Sequence, residues 1–94
     1  MMENPYDEEI KWTLESLEAD RKYSEKIKRK LAGLEKELFE IPRWKLGKRK
    51  RINRKINSWN FELQMVEIQI GHYSGRLEDI KKKRQIFEYA RGGK

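Results

Sequence analysis

The chain contains no cysteine, two prolines and one histidine in 94 residues. The missing cysteines exclude a disulfide scaffold and a thiolate zinc site. No stretch approaches the roughly 20 apolar residues that a membrane-spanning helix needs. The acidic start, Met1 to Ile10, has no apolar run of the kind a secretory signal carries, so the expected location is the cytoplasm. With four serines, one threonine and the lone His72, no nucleophile–base set, nucleotide-cradling glycine loop or Glu-x-x-His metal pair is spelled out. The reading is therefore not an enzyme, with no cofactor and no metal.

Charge is what the sequence has in abundance: 41% of residues are charged, and the net charge is +7. Composition of this kind warns of disorder. Ten aromatic residues and a periodic apolar pattern argue instead for a folded, elongated helical chain. A core from so few residues is small, which favours self-association. The length allows one domain, 1–94.

The second half carries the clearest periodicity. Ile52, Ile56, Trp59, Leu63, Val66, Ile70, Tyr73, Leu77, Ile80, Arg84 and Phe87 follow one another at alternating spacings of four and three, and only Arg84 breaks the apolar series. Five heptads in one phase predict a long helix with a coiled-coil seam, from about 50 to 91. In the first half Ile10, Leu14 and Leu17, then Ile27, Leu31, Leu34, Leu38 and Ile41, obey the same rule, with Arg21 and Ser24 in seam positions and a one-residue slip near 24–27 that a stammer would absorb. The predicted first helix runs from about 7 to 41, with Asn4 as cap, Pro5 in the first turn and Pro42 as its stop.

Residues 42–49 form the connection, with Gly47 as its flexible point. Two long helices and a short turn make an all-α antiparallel helical hairpin. Asp7, Glu8 and Glu9 then oppose Lys81, Lys82, Lys83 and Arg84. Two features leave alternatives open. Gly71 and Gly75 lie inside the second helix, so either a backbone approaches closely there or the helix breaks at 71–75 to give three helices. Alternation of apolar and polar residues over 59–70 also permits a strand with a bulge.

The excess positive charge is local. Residues 43–55 hold Arg43, Lys45, Lys48, Arg49, Lys50, Arg51, Arg54 and Lys55, and no acid. These cations repel one another, and those at the start of a helix also oppose its dipole. Folding gains nothing from the arrangement, whereas a polyanion would, by releasing its counterions. With Trp44 available to stack, these nine residues are the candidate contacts for nucleic acid, DNA or RNA, through phosphate and largely without regard to sequence.

The competing reading is a protein–protein interaction module: an adaptor, inhibitor or assembly component. It rests on Phe61, Met65, Ile68 and His72, a second stripe on the far side of the seam, and on Trp12, Tyr23 and Phe39, aromatics with no place in the seam. A helix apolar on two faces is covered on both, which points to a homo-oligomer joined by the four residues of the stripe in a larger bundle. The basic tip would then meet an acidic protein. A membrane-surface role is disfavoured, because no helix pairs a broad apolar face with a Lys/Arg-rich one.

Overall fold

The computed structural model describes residues 4–92. It is all-α: helix α1 spans Pro5–Glu40 and helix α2 spans Leu46–Gly92. The two are packed against each other as a helical hairpin, with no strand among the described residues. The segment 59–70 is helical, so the strand alternative falls. The ends of the single-domain span, 1–3 and 93–94, lie outside the described residues.

The start of α1 follows from its sequence. The Asn4 side-chain oxygen accepts the Tyr6 N–H at 3.0 Å, and its backbone oxygen accepts the Asp7 N–H at 3.1 Å. Proline occupies the first helical position, where a missing N–H costs nothing. Asp7 and Glu8 complete a first turn whose charge complements the dipole. At the other end Glu40 is the last helical residue, two before Pro42. The Lys45 N–H then bonds to the Pro42 oxygen at 3.0 Å, and α2 begins at once. The connection is shorter than the sequence suggests, and Gly47 belongs to α2. No described residue, glycine included, has a positive φ. The turn closes without the flexible glycine because Pro42 and the Lys45 bond fold it.

Along α2 all eleven predicted seam positions except Arg84 are buried or half-buried, Ile52, Val66, Leu77 and Ile80 most deeply. Along α1 the structure corrects the predicted seam. The seam positions withdrawn from water are Tyr6, Ile10, Thr13, Leu17, Asp20, Ser24, Ile27, Leu31, Leu34 and Leu38, then Ile41 just past the helix end; Ser16, beside Leu17, is half-buried as well. The seam spacings alternate strictly between four and three, so no stammer exists. Leu14 and Arg21, assigned to the seam from sequence, are exposed. Polar Thr13 and Asp20 replace them, and each is explained by helical phase rather than hydrophobicity. Thr13 turns its hydroxyl back to the Glu9 carbonyl at 2.7 Å, which satisfies it inside the seam. Asp20 keeps one buried carboxylate oxygen without a hydrogen-bond partner.

The described residues divide into two compact units, each containing a part of both helices. One is Lys22–Ile68, which carries the turn; the other is formed by the described parts of 1–21 and 69–94. The turn unit is centred on Ile27, Leu31, Ile52 and Val66, with Ile27 fully buried. In the unit of the two ends, Tyr6 and Phe87 meet edge to face at 6.1 Å, and the Arg84 guanidinium donates to Asp7. The hydrogen bond to Asp7, and then its charge, raise the Arg84 guanidinium above its ordinary value, so it stays charged. This is the expected meeting of the acidic start with the basic run near the end. The Asn4 amide adds a 2.9 Å bond to Glu88.

Helix α2 passes through Gly71 and Gly75 without a break. No neighbouring atom lies within 4 Å of where a Cβ would stand at either. Neither of the two expected reasons for these glycines holds, since nothing approaches and the helix does not break. Each therefore leaves a helix interior with needless backbone freedom in the unfolded chain. Gly71→Ala and Gly75→Ala should each stabilise the fold by about 1 kcal/mol, read as a raised melting temperature by circular dichroism. A lowered melt in either variant would show that the position is occupied by something other than solvent.

Candidate nucleic-acid interface

All nine predicted contact residues lie in the turn unit, from Arg43 to Lys55. Arg43, Trp44, Lys48, Lys50, Arg51, Arg54 and Lys55 are exposed; Lys45 and Arg49 are half-buried. Among the described residues none of Arg43, Lys48, Lys50, Arg51, Arg54 and Lys55 is in an ion pair. The first turn of α2 has no acidic residue to offset its dipole. Positive charge is thus placed where the backbone already presents partial positive charge, and the chain supplies no counter-charge.

Trp44 is 76% exposed, in the turn between the helices. Its ring takes no part in a buried core. The Lys45 ammonium stands 5.1 Å from the ring centroid, which leaves a cation and an aromatic face side by side in solvent.

Arg49 has a structural task that the sequence did not disclose. Its guanidinium donates to the Ile41 carbonyl at 3.1 Å and to the Leu38 carbonyl at 3.3 Å. Both are carbonyls at the end of α1, which has no basic residue in its last turn. The last carbonyls of a helix lack intrahelical donors, and a cation there also meets the negative end of the dipole. Arg49 reaches across the turn to do what a C-terminal Lys or Arg of α1 would have done. The sequence hides this because the two elements involved are joined only by the fold.

A groove of about 540 Å³ opens in the same unit, lined by Tyr23 of α1 and Arg54, Lys55, Ser58, Trp59 and Glu62 of α2. The Tyr23 hydroxyl donates to Glu62 at 3.3 Å. Partial desolvation, then the nearby Glu62 carboxylate, raise the Tyr23 phenol above its ordinary value, so it remains a donor at neutral pH. On Trp59 the Lys30 ammonium stands 4.4 Å from the ring centroid. Sequence reasoning found Arg54 and Lys55 but missed this groove. Tyr23 lies some thirty residues away from them in the chain, and Trp59 read only as seam.

The predicted oligomer residues are placed as follows. Phe61, Met65 and Ile68 are 63%, 49% and 49% exposed, on the outer face of α2. His72 is exposed as well. Helix α1 leaves all four uncovered. Among the described residues no helix is long and apolar enough to cross a membrane. No protein-family model matches the chain, and neither does any curated protein or solved structure.

The two kinds of cation separate by stability. Arg49→Gln should destabilise by about 1–2 kcal/mol, since charged hydrogen bonds to the α1 carbonyls are lost. Replacing Lys48, Lys50 and Arg51 together by Gln should leave the melting temperature unchanged or raised, because repulsion is relieved. Thermal melts at low salt distinguish the two; a triple variant that unfolds would make the whole basic block structural.

Proposed function

We propose that the protein binds nucleic acid through phosphate, using the exposed cations of its turn. The observation that carries this reading is the set Arg43, Lys48, Lys50, Arg51, Arg54 and Lys55: exposed, confined to one unit and without an ion pair among the described residues. Like charges left without a counter-charge in their own unit gain most from an anion outside the chain. Phosphates on a polymer answer it best, since each cation that displaces a condensed counterion adds to affinity. Lys45 and Trp44 add a cation–aromatic pair suited to a sugar–phosphate backbone and its bases. Arg49 contributes mainly by holding α1 to the start of α2. The binding is largely indifferent to sequence, and no catalysis follows from it.

A second reading, self-association or docking on another protein, is favoured by a separate observation. Phe61, Met65 and Ile68 are 63%, 49% and 49% exposed and form one outer stripe at spacings of four and three. The two readings are compatible, since the stripe and the basic turn use different side chains. An acidic protein in place of nucleic acid is the outcome that would leave only the second.

Fluorescence anisotropy with labelled DNA and RNA at about 50 and 200 mM salt tests the first reading. Micromolar or tighter binding should weaken with salt by a log–log slope of about 0.9 for each phosphate neutralised on duplex DNA and about 0.7 on a single strand. A flat signal with every nucleic acid at low salt would overturn it. Light scattering tests the second: Met65→Glu combined with Ile68→Glu should lower the measured mass to that of one chain. A wild-type mass already equal to one chain would remove the oligomer.

A further inference from the structure

We infer that the groove between Tyr23 and Trp59 takes an unpaired nucleotide, so that the preferred partner is single-stranded nucleic acid rather than duplex. This rests on the phosphate reading above and adds to it a choice of strand state.

The groove is graded along α2. Arg54 and Lys55 stand at one end, Ser58 and Trp59 one turn further on, and Glu62 a turn beyond that. At 1.5 Å per residue, Arg54 and Glu62 are about 12 Å apart along the helix axis. The cations therefore lie at the end nearer the basic turn, and the carboxylate at the other. Glu62 is no loose acid, because the Tyr23 hydroxyl holds one of its oxygens at 3.3 Å. It keeps a phosphate from sliding past the aromatic residues, so the anionic part of a ligand is confined to the Arg54–Lys55 end.

What remains is an aromatic stretch beside a phosphate site. Tyr23 is 40% exposed, and its ring forms one wall. Trp59 lies opposite on α2, with the Lys30 ammonium on its ring. A volume of about 540 Å³ accommodates a base with its sugar. In a duplex the bases are stacked on each other and only phosphate reaches a shallow groove. An aromatic wall then contributes nothing. In a single strand each base has a free face, and stacking on an aromatic side chain adds to affinity whatever the base. Trp44, 76% exposed in the turn, offers a second such face within the same unit. A protein that held only duplex phosphate would have no use for either.

The test is a competition in one assay. Anisotropy is measured with a labelled 12-nucleotide single strand and with the duplex made from it, at about 50 mM salt, for the wild type and for Tyr23→Leu. Leucine keeps the apolar contact to the helix surface and removes the stacking face and the phenol. Ser58→Leu, which narrows the groove from α2 without adding a stacking face, is the second variant, and circular dichroism checks that both fold. The single strand should bind at least tenfold more tightly than the duplex, and both variants should lose most of that advantage while duplex affinity stays within twofold. Equal wild-type affinity for the two forms would overturn the inference and leave the phosphate reading standing. An advantage that survives both variants would also overturn it, by placing the base elsewhere. Binding to neither form would remove both.

Discussion

The seam between α1 and α2 is the constraint on which everything else depends. Each helix commits ten positions to it at spacings built from four and three, with Ile41 continuing the α1 series just past its end and exposed Arg84 interrupting that of α2. That repeat fixes which face of each helix is dry and therefore which residues are left outside. On α2 the outside holds Arg51, Arg54 and Ser58 near the turn and Phe61, Met65 and Ile68 further on. The candidate site is in this sense a remainder: the side chains that the hairpin does not use for its own packing. The core itself is slight: among the described residues seven apolar side chains are buried, and only Ile27 wholly so.

The seam also shows where hydrophobicity is a poor guide to helical phase. On α2 the apolar residues and the phase coincide for ten of eleven positions, and the sequence pattern is read without error. On α1 they part company. Leu14 attracts a seam assignment because it is apolar, yet it is 45% exposed, while Thr13 beside it is buried. Asp20 likewise takes the place assigned to Arg21 from the apolar pattern. Once Thr13, Asp20 and Ser24 are accepted as seam residues, the apparent slip disappears. A strict repeat over the whole helix was the better signal, because phase is imposed by geometry at every turn while composition varies locally. The buried oxygen of Asp20 is the cost of that imposition.

What could be read of the candidate site divides in the same way. The eight cations and Trp44 were legible because they are neighbours in the chain, and the fold keeps them in one unit. Contacts across the hairpin were not. Arg49 resembles its neighbours in sequence, and only the fold brings it to the carbonyls of Leu38 and Ile41. Tyr23 reads as an unassigned aromatic until its hydroxyl is seen on Glu62. The glycines illustrate the converse error. Gly71 and Gly75 invite a structural reason, and Gly47 a turn, yet the helix runs through all three.

The central claim is that the exposed cations of the turn engage nucleic acid as a ligand of the folded state. Such a ligand stabilises the fold by about RT ln(1 + [L]/Kd), close to 2.7 kcal/mol at a hundredfold excess over Kd. The direct measurement is the melting temperature at low salt as single-stranded oligonucleotide is added, with the Lys48, Lys50 and Arg51 to Gln variant as reference. The account predicts a melt that rises with oligonucleotide in the wild type, rises less in the variant, and ceases to rise at high salt. A wild-type melt that stays constant at low salt over the full titration would contradict it.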